Sequence, residues 1–280
     1  LEKVIEDLGG IRRFIKPGDK VLIKPNLLKP AQPQEAVVTH PAFVEAVAGV
    51  LRDSGATLFL GDSPALGHLQ RTLSKSGYDE FMTKMSVQAA PFLERAPVEF
   101  GEGRLFRRME LSREVFEFDA VINLPKLKTH CQMLLTLAVK NLFGTMVGSD
   151  KATWHFRAGK DYESFATALV QILEAVKPTL SLIDGILAME GDGPNNGSPR
   201  QLGIVAGGAD AIALDAAICS LVGFPVENLL TCRIGDAMGV GSADSERIQV
   251  VGDPLEDFPL RDFIPPKSMT VAWNIPKGHF

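Results

Sequence analysis

Apolar residues in this chain arrive in short unbroken runs, and most of the runs stop on Pro, Gly, Asn or Asp. Lys20-Val21-Leu22-Ile23 follows the turn Lys16-Pro17-Gly18-Asp19 and halts at Lys24-Pro25-Asn26, the pattern of a buried strand emptying into a loop. From Thr39-His40-Pro41 the period changes. Phe43, Val44, Val47, Val50 and Leu51 recur at helical spacing until Ser54-Gly55, with Thr39 able to cap and Pro41 suited to a first turn. Thr57 to Leu60 predicts a second strand, ending in Gly61-Asp62-Ser63. Strand, helix and strand in this order make a βαβ unit, whose crossover is right-handed and whose sheet is parallel.

The pattern then resumes. Residues 98–111, with Gly101 and Gly103 central, read as a hairpin, and Ala120-Val121-Ile122-Asn123 reads as another buried strand. Residues 133–143 and 165–176 are apolar at helical spacing, and Leu180-Ser181-Leu182-Ile183 before Asp184-Gly185 predicts a strand. A loop over 190–197, a strand near 202–206 and a helix from about Asp210, its own cap, to Val222 follow. The fold class predicted is α/β, a mostly parallel sheet flanked by helices. It forms one domain over residues 1–280, in one body or in two lobes with the site between them.

In open parallel sheets ligands sit beyond the carboxyl ends of the strands, because loops and helix amino-termini converge there. Four such ends carry chemically useful residues: Lys24-Pro25-Asn26, Asp62 with Ser63, the stretch from Asn123 to His130, and Asp184 with Glu190. Lys126, Lys128 and His130 alternate, so an extended backbone places them on one side, where they repel unless an anion or solvent sits among them. The other reading is a solvated edge that discourages aggregation. Lys140 lies inside the apolar run 134–143, where an ammonium is costly unless paired or neutralised, or else snorkels with its stem along the helix. His155, between Trp154 and Phe156, suits a metal ligand, a general base or a packed histidine. His40 suits an anion at a helix start or a capping turn, and His68 the same cleft or a surface loop. Cys131 beside His130 reads as core, since adjacent residues in an extended segment point apart. Asp184, Glu190 and Asp192 are hard oxygen donors for a divalent cation, or counter-charges for the lysines.

A net charge of -5 and a pI near 5.6 exclude a broad basic face, and with it nucleic acid or an anionic membrane as main partner. Positive charge must therefore be local. No apolar run reaches the roughly 18 to 20 residues that span a bilayer, and Glu2, Lys3, Glu6 and Asp7 are not a signal peptide's core. Cys131, Cys219 and Cys232 are odd in number and widely spaced, which gives neither a disulfide framework nor a four-cysteine site for an iron–sulfur cluster. The expectation is a soluble, cytoplasmic protein. No Gly-rich phosphate loop of the dinucleotide or Walker type is present.

Taken in order, Lys24-Pro25-Asn26, Thr39-His40-Pro41, Lys126-x-Lys128-Thr129-His130, Lys140-Asn141-Leu142-Phe143-Gly144, Lys151 with His155, and Met189-Glu190-Gly191-x-Gly193-Pro194 resemble the family catalogued as domain of unknown function 362. The resemblance runs from about residue 15 to 260. Members are often joined to a ferredoxin-type iron–sulfur module, so the resemblance implies a ferredoxin-type redox partner; the module's cysteine run is absent here. Asp119 through Ile122, His130, Lys140 and His155 are also similar, in order and spacing, to the amino-terminal domain of nickel-pincer lactate racemases. That resemblance implies His130 as proton-transfer base, Lys140 as cofactor anchor or anion clamp, and His155 as transition-metal ligand. This chain departs from it in lacking Gly-Gly before Lys140 and in having Lys24 in place of an arginine motif.

The functional expectation is an anionic small molecule, with or without a metal, held in a strand-end cleft by Lys24, Asn26, Asp62, Ser63, Lys126, Lys128, Asn141, Lys151 and Glu190. His130 and Lys140 are the candidate catalytic groups, and His155 with His130 the candidate metal ligands. The competing expectation is a non-catalytic domain that supports a redox module or a partner protein, which would expose the lysines as a patch.

Overall fold

A computed structural model describes residues 1–267 apart from 66, 149, 159, 160, 259 and 261. Its frame is a sheet in the order β3-β2-β1-β6-β9-β7-β8, with β10 beside β9. The strands are β1 (Lys20–Pro25), β2 (Thr57–Leu60), β3 (Gln88–Ala89), β6 (Ala120–Leu124), β7 (Lys126–His130), β8 (Leu134–Thr136), β9 (Leu180–Glu190) and β10 (Ser198–Gly208). The predicted hairpin, β4 (Arg95–Glu99) with β5 (Arg108–Ser112), stands apart as a second sheet. Pairings among β3, β2, β1, β6, β9 and β7 are parallel; β8 and β10 are added antiparallel. The α/β class and the mostly parallel sheet are thus as the sequence pattern predicts.

Burial on both faces explains why the central strands are apolar throughout rather than alternating. Val21, Ile23, Ile122, Leu124, Leu180 and Leu182 point into one core, which includes Phe43, Val44, Val47 and Leu51 of α2 (Pro41–Asp53). Leu22, Val121 and Ile183 point into the other, beneath α7 (Tyr162–Val176) and α8 (Ala211–Leu221). The helices α1 (Glu2–Asp7), α3 (Leu69–Lys75), α4 (Asp79–Met85), α5 (Ala138–Asn141), α6 (Asp150–Ala158) and α9 (Leu230–Ala237) complete the layers. No helix among the described residues is long and apolar enough to cross a membrane.

Two elements differ from expectation. Residues 133–143 are not one helix: Leu134–Thr136 pairs antiparallel with β7, and only Ala138–Asn141 is α-helical before a 3-10 turn at Leu142–Thr145. Nearly every side chain there is buried, so the apolar run carries no period that could separate strand from helix. Strand β9 also runs on past Asp184-Gly185 to Glu190, because β10 pairs along its length. A side chain at Gly185 would sit 3.1 Å from the Ile204 carbonyl, so this residue marks a close crossing rather than a strand end. On its other edge β9 meets β6 and then β7, two stretches of one line interrupted at Pro125.

Candidate functional site

Register brings Lys24 opposite Asn123, and Asn123 opposite Ser181, so three polar side chains share one face where β1 and β6 end and β9 begins. They receive the short helix α5. Asn123 Nδ2 donates to the Ala138 carbonyl at 3.0 Å and to Ser181 Oγ at 3.1 Å. Asn141 Nδ2 donates to Asn123 Oδ1 at 2.8 Å and to the Lys24 carbonyl at 3.3 Å, while its Oδ1 accepts from Asn26 Nδ2 at 2.9 Å. The Asn141 amide is therefore a clamp between α5 and the sheet. From the opposite side the carboxylate of Asp215 accepts the Ala138 and Val139 N–H groups at 2.7 and 3.0 Å. These donors open α5 and have no partner within the helix.

Asp215 is buried within α8 and so anchors the start of another helix. Burial pushes its carboxyl up to about 7, against the two backbone donors and helped by Asp210. A folded-state value above the unfolded one of 3.8 means that stability from this group is complete below about pH 4 and is lost as pH rises through 7. Asp215→Asn is accordingly expected to gain on the wild type, by on the order of 2–3 kcal/mol, between pH 4 and pH 7 in paired urea titrations.

Beside α5 lies a cavity of about 590 Å3 whose lining includes Asn26, Asp62, Ser63, Lys128, His130, Lys140, Asn141, Lys151 and His155. Loops after β1, β2 and β7 and the helices α5 and α6 thus meet at one rim. Asp62 accepts from Lys24 Nζ at 3.0 Å, from Leu27 N at 2.8 Å and from Ser63 N at 2.9 Å. Lys24 is buried behind it, one layer from the cavity, and desolvation lowers its pKa despite Asp62. Gly144 permits this packing, since a Cβ there would collide with the Lys24 and Asp62 side chains. Ser63 accepts at its hydroxyl from Gly148 N at 3.1 Å, and its carbonyl accepts from Lys151 Nζ, tying the end of β2 to α6.

Three amines remain around the space. Lys128 Nζ donates to the Val37 carbonyl at 2.6 Å, and burial, with Lys126 and Lys140 nearby, drives its pKa well down. Lys140 Nζ has no hydrogen-bond acceptor among the described residues; it stands over the Phe143 ring at 4.6 Å and the Phe165 ring at 5.4 Å. Burial first, then Lys151, lowers it to about 7. Lys151 is lowered to about 8, mainly by burial, with Asp62 opposing. His155 is lowered to about 4 by burial and Lys140, and His130 well below its ordinary value by burial and then Lys140. Two buried polar atoms of the lining residues, Asn26 Oδ1 and Thr136 Oγ1, lack hydrogen-bond partners among the described residues.

Several expected site residues lie elsewhere. Lys126 is fully buried against Asp184 at 2.7 Å, and Asp184 also accepts from His40 N at 2.8 Å. Its alternation with Lys128 and His130 is real, but the carboxylate at mid-strand β9 captures it before the cavity begins. Glu190 pairs with Arg200 at 2.8 Å and accepts from Ile264 N; Asp192 accepts from Lys267 N. The acids of the 184–197 segment therefore neither meet the lysines of the cavity nor gather around a cation. His40 caps α2 through Nδ1, and His68 precedes α3 away from the cavity. Cys131 is the opposite correction: it is half-buried and lines the cavity, because the strand ends at His130 and alternation ends with it. Gln132, Thr136 and Ser181 have no signal of their own, since short polar residues next to apolar runs are common.

Among the described residues no three His, Cys, Asp or Glu side chains come together to hold a metal ion. His130 Nδ1 is moreover occupied by the backbone N–H groups of Gln132 and Met133 at 3.1 and 3.3 Å. The residues present do not fit a protein-ligated metal centre at His130 and His155.

Fold and site together define an α/β protein with a cation-lined cavity at the carboxyl ends of a mostly parallel sheet. Residues 21–220 match the family described as Domain of unknown function (DUF362), and the chain belongs to that family. A thylakoid-associated protein of Synechocystis sp. is 36% identical over 283 residues, covering 99% of this chain and 86% of its own length. Among solved structures, the lactate racemase apoprotein of Thermoanaerobacterium thermosaccharolyticum aligns over 79% of this chain and 55% of its own with 10% identity and a TM-score of 0.49. A structural-genomics target protein from Thermotoga maritima aligns over 84% and 59% with 15% identity and a TM-score of 0.44. This chain spans little more than half the length of those two structures.

Proposed function

We propose that the cavity binds a small anionic molecule through carboxylate or phosphate oxygens and that the protein is an enzyme acting on it. One observation carries this reading. Lys128, Lys140 and Lys151 line a half-open space in which Asp62 is the one carboxylate among the described residues, and that carboxylate is already engaged by Lys24. Surplus positive charge in a space of low dielectric is unfavourable until an anion enters, and the volume of about 590 Å3 is that of a small-molecule site. The unpartnered Asn26 and Thr136 oxygens add polar contacts for the same occupant.

An alternative, a non-catalytic domain that docks a ferredoxin-type redox module or a partner protein, needs the lysines on an open surface. Burial of Lys128 and Lys151 favours the cavity reading.

Calorimetric titration with malonate and with inorganic phosphate tests it. Binding favours the protonated amines, so it raises the pKa values of about 7 and about 8 at Lys140 and Lys151. Affinity is expected to fall as pH rises through 7 to 9, by up to roughly tenfold per pH unit for each lysine. Proton uptake, read from the buffer dependence of the heat, accompanies binding. Saturable binding of neither anion at pH 6.5 overturns the proposal.

A further inference from the structure

Both histidines of the cavity depend on one neighbour, Gln132. Its backbone N–H donates to His130 Nδ1 at 3.1 Å, and the Met133 N–H adds a second donor at 3.3 Å. Two donors aimed at one nitrogen require a lone pair there, so neutral His130 carries its proton on Nε2. The Gln132 side chain imposes the reverse on His155. Its Oε1, which can only accept, lies 2.8 Å from His155 Nδ1. That nitrogen therefore holds the proton, and Nε2 keeps its lone pair. The rings are nearly parallel, 8° apart in plane with centroids 6.4 Å apart, and both line the cavity. Neither Nε2 has a hydrogen-bond partner among the described residues.

Resting on the anion-binding reading, we propose that His130 offers the bound anion a fixed N–H donor and His155 a fixed lone pair, with Gln132 as the positioning residue that sets the two tautomers in opposite senses. His155, rather than His130, is then the proton acceptor. Two such groups, on near-parallel rings whose centroids are 6.4 Å apart, address two atoms of one ligand, which fits an anion carrying a carbonyl next to a C–H bond. In the step, His155 Nε2 takes the proton as the C–H bond breaks. The electron pair of that bond forms the C=C bond of an enolate as the carbonyl π pair moves onto the oxygen, and the enolate oxygen accepts the hydrogen bond from His130 Nε2–H. His155 is left as an imidazolium, which returns the proton when the C–H bond re-forms. A neutral imidazole can serve as such a donor without giving up its proton.

Nitrogen-15 NMR of the full chain with labelled histidine reads tautomers directly and needs no ligand. Expected are a protonated Nε2 with a bare Nδ1 for His130 and a protonated Nδ1 with a bare Nε2 for His155. In Gln132→Leu, His155 is expected to lose its single tautomer while His130, held by backbone, keeps its own, which also reports an intact fold. Gln132→Glu, which retains an acceptor oxygen, restores the His155 form. Protonation of His130 on Nδ1, of His155 on Nε2, or an unchanged His155 in Gln132→Leu overturns the proposal. Should that variant not fold, the wild-type spectrum decides alone. Calorimetry with malonate and phosphate is read separately, so a failure of anion binding is distinguishable from a failure of the tautomer assignment.

Discussion

Lys140→Met is expected to weaken anion binding at pH 6.5 by about 10- to 100-fold, roughly 1.4–2.7 kcal/mol, and yet to stabilise the ligand-free protein at pH 7. Both effects have one cause. Lys140 is half-buried, its amine stands over the Phe143 and Phe165 rings with no acceptor among the described residues, and its pKa is lowered to about 7. The native state sheds this proton near pH 7, whereas the unfolded chain holds it to the ordinary value of 10.5. Between those values the unfolded state binds more protons, so the lysine's penalty on folding is largest at and below pH 7 and fades as pH rises. Methionine fills similar volume without a charge, and removing the penalty is worth on the order of 2–4 kcal/mol at pH 7. Urea titrations of both proteins at pH 7 and pH 10 test this: the variant's advantage at pH 7 should largely vanish at pH 10. A variant that is less stable at pH 7 and binds malonate or phosphate as the wild type does would remove Lys140 from the site.

At Lys126 the opposite sign is expected. Lys126 and Asp184 are both fully buried and 2.7 Å apart, and Asp184 also receives His40 N at the start of α2. Asp184→Leu strands a buried ammonium and an N–H together, and should cost about 3–5 kcal/mol. Replacing both partners, Lys126→Met with Asp184→Leu, leaves no uncompensated charge and should recover most of that loss. Equilibrium unfolding in urea of the two single variants and the double variant provides the cycle. Additive losses, with the double variant the least stable of the three, would show that the pair does not act as a unit. Two lysines of one sequence neighbourhood are thus separated by experiment: one loss of charge stabilises the protein at the expense of binding, and the other simply unfolds it.

Nothing in the sequence distinguishes these two lysines. Lys126 and Lys140 both lie beside apolar runs, and whether each finds a carboxylate depends on residues far along the chain. Asp184 arrives from β9 to meet Lys126, while Asp215 arrives from α8 to meet the backbone of α5 rather than Lys140. Glu190 reads as a site acid because it sits in a turn-rich segment, but Arg200, its partner across the β9–β10 hairpin, takes it out of consideration.

What the sequence determined alone was what depends on neighbours in the chain. The runs at 20–23, 57–60 and 120–123 specify buried strands, the period of 41–53 specifies a helix, and their order specifies a parallel α/β sheet with useful residues at its carboxyl edge. Those features are local because strand and helix periods are written within a few residues. Tertiary structure alone decided which of the edge residues share the cavity, that residues 134–136 add a strand and 138–141 a short helix, and that Gln132 joins His130 to His155. Those outcomes turn on pairing between distant segments and on the cost of leaving a buried charge or hydrogen bond unmet, and neither quantity exists until the chain has folded.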